Sequence, residues 1–352
     1  MKTGKVSERI LNRSVFRQIK TKRKEVIHGT VLGGDCAIFS FSEDTEGRIN
    51  RVPFCEEGYA LASCMQEAPV AAQEEASGEA VGTLLLKCAN NLATSGAVPF
   101  AAMITLLLPE STEEAQLKQI MCEAEKTCAG LDIELAGGQT KVTKAVNTPY
   151  AVVTGYGKVK KAGLHTVKAA APGQDIVISK WIGLEGTALL AKTYKEKLLK
   201  RYPSYLVEEA AGFSRYLSII PEAATAVKSG VCAMHDASEG GIFGALWELA
   251  EGAGVGLSID LKKLPLRQET VEVCEYLDVN PYQLMSGGCL IMTTRDGLGL
   301  VKALEEAGIP AVVVGKLTDC NDRILYNEDE IRYMDRPKTD EIYEILERNG
   351  GK

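Results

Sequence analysis

The chain has 352 residues, 45% of them hydrophobic and 25% charged, which is globular composition with room for two domains. Its 40 Lys and Arg against 47 Asp and Glu give a net charge of −7, so it lacks the broad positive field that attracts a nucleic-acid backbone. Disordered, fibrous and membrane classes are excluded too, since the most apolar window, Phe100 to Leu108, is far too short to span a bilayer.

The first residues, MKTGKVSERILNRSVF, alternate charged and apolar positions without the apolar core of a signal peptide, which predicts a cytoplasmic protein. Ten scattered cysteines without a Cys-x-x-Cys pair then read as reduced thiols, and no histidine stands at zinc-ligand spacing. Ile10, Leu11, Val15 and Ile19 space an amphipathic helix over 7–19, and the basic run Lys20 to Lys24 reads as a solvated segment. Short strands are predicted over 25–28 and 36–41. A helix over 83–93 and an extended apolar run over 100–108 follow. Leu117, Ile120, Met121 and Ala124 line one face of a helix over 112–129, with Gly130 as its stop. Strands fit 132–136 and 150–155. The Lys-, Ala- and Gly-rich stretch 158–174 is the predicted inter-domain connection, giving domains of 1–160 and 170–352. Beyond it strands fit 175–179, 231–234, 256–261, 289–293 and 311–315. Helices fit 187–199, 204–218, 221–229, the segment after Gly241 to about 251, and 298–307. Alternating strands and helices in both halves predict two α/β or α+β domains.

Four glycine-rich clusters hold polar residues. Gly33-Gly34-Asp35 enters a strand, and its bland reading is a hairpin turn whose Asp meets nearby amides. Asn90 and Asn91 sit near the end of a helix, a place where amides also serve as simple stops. Gly137-Gly138-Gln139-Thr140-Lys141 follows a predicted strand, where exposed N–H groups, a hydroxyl and a cation suit an anion, although Walker A spacing is absent. His235-Asp236-Ala237-Ser238-Glu239-Gly240-Gly241 leads from a strand into a helix whose N-terminus suits an anion, and whose acids equally suit capping.

Taken in order, these motifs resemble the aminoimidazole ribonucleotide synthase-related (PurM-like) ATP-binding superfamily. The likeness is strongest to the hydrogenase maturation protein HypE, through HDASEGGIFGALWELAEGAGVGLSID, CEYLDVNPYQLMSGGCLIMTT and GKLTD. The resemblance implies a two-domain PurM-like fold, with an N-terminal sheet that completes a dimer-spanning β-barrel and a C-terminal α/β sandwich. It implies a homodimer with ATP in a cleft and Mg²⁺ bridging its phosphates to acidic residues. Asp35, Glu56 and Asn91 then match the metal positions. Asp35, Asn90, Asn91, Gly137, Gly138, Gln139, Thr140, Lys141, Gly240 and Gly241 match nucleotide-binding positions. His235 is the candidate acid/base, with Asp236 beside it in the cleft turn. Two departures matter. Asn91 and Gln139 stand where the family usually carries carboxylates, and Mg²⁺ prefers anionic oxygen. The last cysteine, Cys320, does not match the C-terminal acceptor Cys of HypE.

Two functions follow from the resemblance. One is an ATP-dependent enzyme that phosphorylates an amide-like or acid oxygen of a small substrate, or dehydrates it. The other is a catalytically weak paralogue that binds nucleotide or a partner in metalloenzyme maturation. Thiamine-monophosphate kinase activity is a distant third.

Overall fold

A computed structural model describes residues 8–10, 26–29, 33–39, 58–70 and 80–350. The chain divides into two compact units, one holding Asp35–Leu164 and the other His165 onward. Of the 7–19 helix, only Glu8–Ile10 falls within the described residues, and it is helical. The basic run 20–24 and Glu56 lie outside them.

The N-terminal unit is built on a six-stranded sheet. In chain order its strands are β1 (Val26–His28), β2 (Ala37–Phe39), β3 (Tyr59–Pro69), β4 (Val98–Leu108), β5 (Glu134–Val142) and β6 (Tyr150–Lys160). Their spatial order is β1-β2-β3-β6-β4-β5. All neighbours are antiparallel except β4 and β5, whose parallel pairing needs the crossover that the Glu114–Leu131 helix supplies. On β3 and β6 burial alternates strictly. Ala60, Ala62, Cys64, Ala151 and Val153 face the core, which the Val81–Thr94 helix covers with Leu84, Leu85, Cys88 and Leu92. The helix comes close because the sheet is small-residued beneath it: a Cβ on Gly155 would lie 2.6 Å from the Cys88 sulfur. The opposite face carries Tyr59, Leu61, Val152 and Tyr156, with Met103 40% and Met65 62% exposed.

Three sequence expectations change here. β3 was not predicted at all. The second helix runs through Gly130 to Leu131 and stops at Asp132, which takes the left-handed conformation itself (φ 56°). Its buried stripe is Ile120, Ala124 and Cys128, whereas Met121 is exposed.

In the C-terminal unit seven strands line up as β13-β12-β9-β11-β7-β10-β8. They are β7 (Asp175–Ser179), β8 (Ala233–Ala237), β9 (Gly256–Asp260), β10 (Cys289–Thr294), β11 (Ala311–Thr318), β12 (Arg323–Asn327) and β13 (Glu330–Tyr333). Every residue of β8 and β10 is buried, as expected of strands covered on both faces. The Gly241–Ala253 helix packs Ile242, Ala245, Leu246 and Leu249 into a core with Ile176, Ile178, Ala233 and Ile291. A second core joins the helices Leu184–Thr193, Ser204–Ala211, Gln268–Leu277 and Glu341–Gly350 through Leu190, Val207, Val273 and Ile342. β12, β13 and the Gln268 and Glu341 helices were not predicted from sequence.

All nine described cysteines are free, and six of them are buried. No helix among the described residues is long and apolar enough to cross a membrane. The mixed α/β class expected from the sequence is the class observed. Among the described residues the N-terminal sheet is open, not a closed barrel.

Candidate functional site

In the N-terminal unit the structure brings the first two motifs together. Asp35, half-buried, stands just ahead of β2, and the next residue, Cys36, is buried. The Cys36 thiol donates to the Asn91 carbonyl at 2.9 Å, which ties the start of β2 to the last turn of the Val81–Thr94 helix. That turn is closed by its own hydroxyls: Thr94 Oγ1 donates to the Asn91 carbonyl (2.8 Å), and Ser95 Oγ to the Leu92 carbonyl (2.7 Å). Asn90 is buried on the core side of the helix. Below Asp35, the sulfurs of Cys64 and Cys88 meet at 3.3 Å. The hydrogen bond with Cys36 is the main cause that pushes the Cys64 thiol up, and burial adds to it. The Cys88 thiol is raised by its bond to Cys64 and then by burial. Both stay protonated at neutral pH, so this packing layer adds no negative charge under Asp35.

The third motif is elsewhere. Gly137-Gly138-Gln139-Thr140-Lys141 does not form a turn after a strand; it lies inside β5, and its side chains are exposed along the sheet edge. The register shifts by one residue where Ala102 and Met103 pair with Leu135 and Gly137. Both glycines have φ near 155° (155° and 153°), and a Cβ on Gly138 would lie 1.8 Å from the Ile104 carbonyl oxygen. Glycine is therefore required for strand pairing there, not for a phosphate-cradling turn. β3, β6 and β4 separate β2 from β5, so Asp35 and the 137–141 segment of one protomer are roughly 19 Å apart across the sheet.

In the C-terminal unit the fourth motif is a strand end followed by a helix start. His235 and Asp236 belong to β8 and therefore project to opposite faces of the sheet. The two candidate groups therefore face different surroundings, although they are adjacent in sequence. His235, 2% exposed, lies under the Gly241–Ala253 helix, with its Nε2 3.3 Å from Glu248 Oε2. Asp236 is buried on the other side. The turn that follows needs both its glycines, because Gly240 and Gly241 have φ of 89° and 66°. Gly241 also packs so tightly that a Cβ would lie 2.6 Å from the Tyr282 carbonyl. The segment 280–286 braces the turn: Ser286 N donates to the Ser238 carbonyl and Phe243 N to the Tyr282 carbonyl, both at 3.1 Å.

Two groups in this unit went unnoticed in the sequence. Lys180 and Glu222, 8% and 3% exposed, form an ion pair at 2.5 Å. Asp340, 1% exposed, accepts three backbone N–H bonds: Gly240 at 2.7 Å, Ile342 at 2.9 Å and Met285 at 3.3 Å. Asp followed by Ile342 and Ile345 at helical spacing was a readable N-cap signal.

No group of three His, Cys, Asp or Glu that could hold a metal occurs among the described residues. Asp35 with the Asn91 amide offers one anionic and one neutral oxygen donor. Such a pair fits a Mg²⁺ that arrives already held by phosphates, not a protein-only cage.

The chain is 26% identical over 280 residues to the carbamoyl dehydratase HypE of Rhodobacter capsulatus, covering 78% of this chain and 80% of that protein. The crystal structure of Escherichia coli HypE, a hydrogenase maturation protein, superposes with a TM-score of 0.68. It covers 85% of this chain and 93% of that one at 21% identity. A HypE crystallised in complex with ATP gives 0.67 over 97% of both chains at 16% identity. These two structures share the fold. The family models described as the AIR synthase related protein N-terminal and C-terminal domains match residues 51–159 and 171–326, about three quarters of the chain. The chain therefore belongs to the AIR synthase related family, with a HypE-like, two-domain PurM-like fold.

Proposed function

We propose that this protein binds ATP with Mg²⁺ at a site containing Asp35, Asn90 and Asn91, and uses it to activate an oxygen of a small amide-like or acid substrate. The observation that carries this is the bond from Cys36 to the Asn91 carbonyl, which holds the acid of the first motif beside the amides of the second. The relation to a HypE crystallised with ATP supports the choice of nucleotide. Mg²⁺ would supply charge neutralisation at the phosphates when bound. The protein's own part is to orient them, with Asp35 as the anionic ligand.

The same reading makes the protein a homodimer. The 137–141 segment reaches an Asp35 site only if it comes from a second copy, since one sheet keeps the two apart. The open sheet face with Met65, Met103 and Tyr156 is the surface a second copy would cover. Light scattering should give a dimer for the wild type and a monomer for Met103→Arg; a wild-type monomer under native conditions overturns the dimer.

Calorimetry with ATP and Mg²⁺ tests the site. Asp35→Ala should raise Kd about 30-fold or more, the loss of one charge-assisted contact. Undiminished binding in that variant rejects Asp35 as a ligand. A second reading, a binding protein with little catalysis in metalloenzyme maturation, is favoured by the amides Asn91 and Gln139 in carboxylate positions. ATP that binds tightly but releases no phosphate with any amide or acid substrate selects it.

A further inference from the structure

Asp340 begins the Glu341–Gly350 helix, far along the chain from any of the four motifs. Its carboxylate divides between two tasks. Oδ1 accepts from Ile342 N, in the manner of an N-cap, and from Met285 N. Oδ2 accepts from Gly240 N at 2.7 Å. Gly240 is the residue that starts the Gly241–Ala253 helix, and Met285 directly precedes Ser286-Gly287-Gly288. One buried side chain thus joins two glycine turns to a third element. That element is firmly docked, with Ile342 and Ile345 buried and the Tyr194 hydroxyl donating to the Ile345 carbonyl at 3.3 Å.

We propose that Asp340 is a positioning residue that latches the Gly240–Gly241 turn in the shape that receives an anionic ligand.

The chemistry of its surroundings supports titration. Burial is the main cause that pushes the Asp340 carboxyl up to about 7, and Glu239 on the turn adds to it, while the three N–H donors pull the other way. Other titratable groups on the elements packed here are Tyr282 on the 280–286 segment and Glu341 and Glu344 on its own helix. Burial raises Tyr282, which stays neutral at these pH values. The three N–H donors are thus what offsets the charge of an ionised Asp340, against burial and Glu239. The folded-state value lies above the ordinary carboxylate value. The stability this group contributes is therefore complete below about pH 4 and declines as pH rises to about 7.

Asp340→Asn is the informative change. Its amide oxygen still serves Ile342, but its NH₂ meets the Gly240 N–H donor to donor, and its titration is gone. Three measurements on the full chain decide the proposal. The Tm advantage of wild type over Asp340→Asn should shrink by about 5–10 °C between pH 5 and pH 8. Amide hydrogen exchange over 238–244 should speed up at least about tenfold in Asp340→Asn while that of 342–346 is unchanged, a pattern a merely fold-supporting residue would not give. The affinity for a non-hydrolysable ATP analogue should fall about tenfold. This last arm rests on the nucleotide reading above. Absence of analogue binding in the wild type rejects that reading, while exchange and the pH profile still judge the latch. A pH-independent Tm difference, or unchanged exchange across the turn, overturns the latch.

Discussion

Replacing Lys180 by methionine is expected to cost the C-terminal unit about 3–5 kcal/mol, because it strands the Glu222 carboxylate in the interior without a counter-charge. The pair is nearly sealed from water, and Lys180 Nζ also donates to the Tyr216 and Ser218 carbonyls at 2.7 and 2.5 Å. One ammonium thus fixes the segment 216–218 to the end of β7. Lys180 holds a left-handed backbone (φ 53°) to make this reach, a conformation that lysine adopts only when its surroundings insist on it. Thermal unfolding should shift down by about 6–15 °C. The double change Lys180→Met with Glu222→Leu should recover much of the loss, because a well-packed apolar pair needs no desolvation of charge. A single-variant loss below about 1 kcal/mol would show that water reaches Glu222 and that the pair is not truly buried.

Gly138→Ala should be the most damaging change in the N-terminal unit. The added methyl would occupy the space of the Ile104 carbonyl oxygen, 1.8 Å away, on a backbone with φ of 153°. β5 must then leave β4 or distort it, at about 2–4 kcal/mol. Gly137→Ala makes a control. Its Cβ would meet only Met103 Cε at an ordinary 3.7 Å, so it carries the backbone strain without the collision. Urea unfolding of the two variants separates strain from collision. Equal midpoints would show that the Gly138 contact relaxes without cost. If β5 completes a site on a second copy, Gly138→Ala also lowers ATP affinity while Asp35 is intact.

The fold was legible where sequence pattern and burial coincide. DIVIS and CLIMTT are short, apolar and bounded by turn residues, and they form β7 and β10 as expected. β3 escaped because its inward positions are Ala60, Ala62 and Cys64, whose small side chains give a faint alternation although they are fully enclosed. The double glycine of 137–138 was misread for the opposite reason. Glycine usually signals a turn, and here it permits a bulged strand whose geometry depends on a partner strand some thirty residues earlier. His235 and Asp236 show the limit of adjacency: neighbours in sequence become opposites once they sit in a strand. Asp35 and Asn91 came out close because Cys36, the residue after Asp35, bonds the Asn91 carbonyl in the last turn of the helix. Lys180–Glu222 and Asp340–Gly240 could not be read, since nothing local in either partner announces the other.

The strand order of the C-terminal unit also bears on when this protein acquires its shape. β7 is made first, yet both its neighbours, β10 and β11, come from far down the chain; Leu290 N reaches Ser179 Oγ across 111 residues. Closing such loops costs chain entropy before any contact repays it. As the ribosome delivers the chain, β7 and its apolar residues wait for a first partner until β10 has emerged, and for a second until β11 has. The N-terminal sheet is complete once β6 appears, so the two units fold in succession. The interval between them is the stage at which a nascent chain would need protection from aggregation.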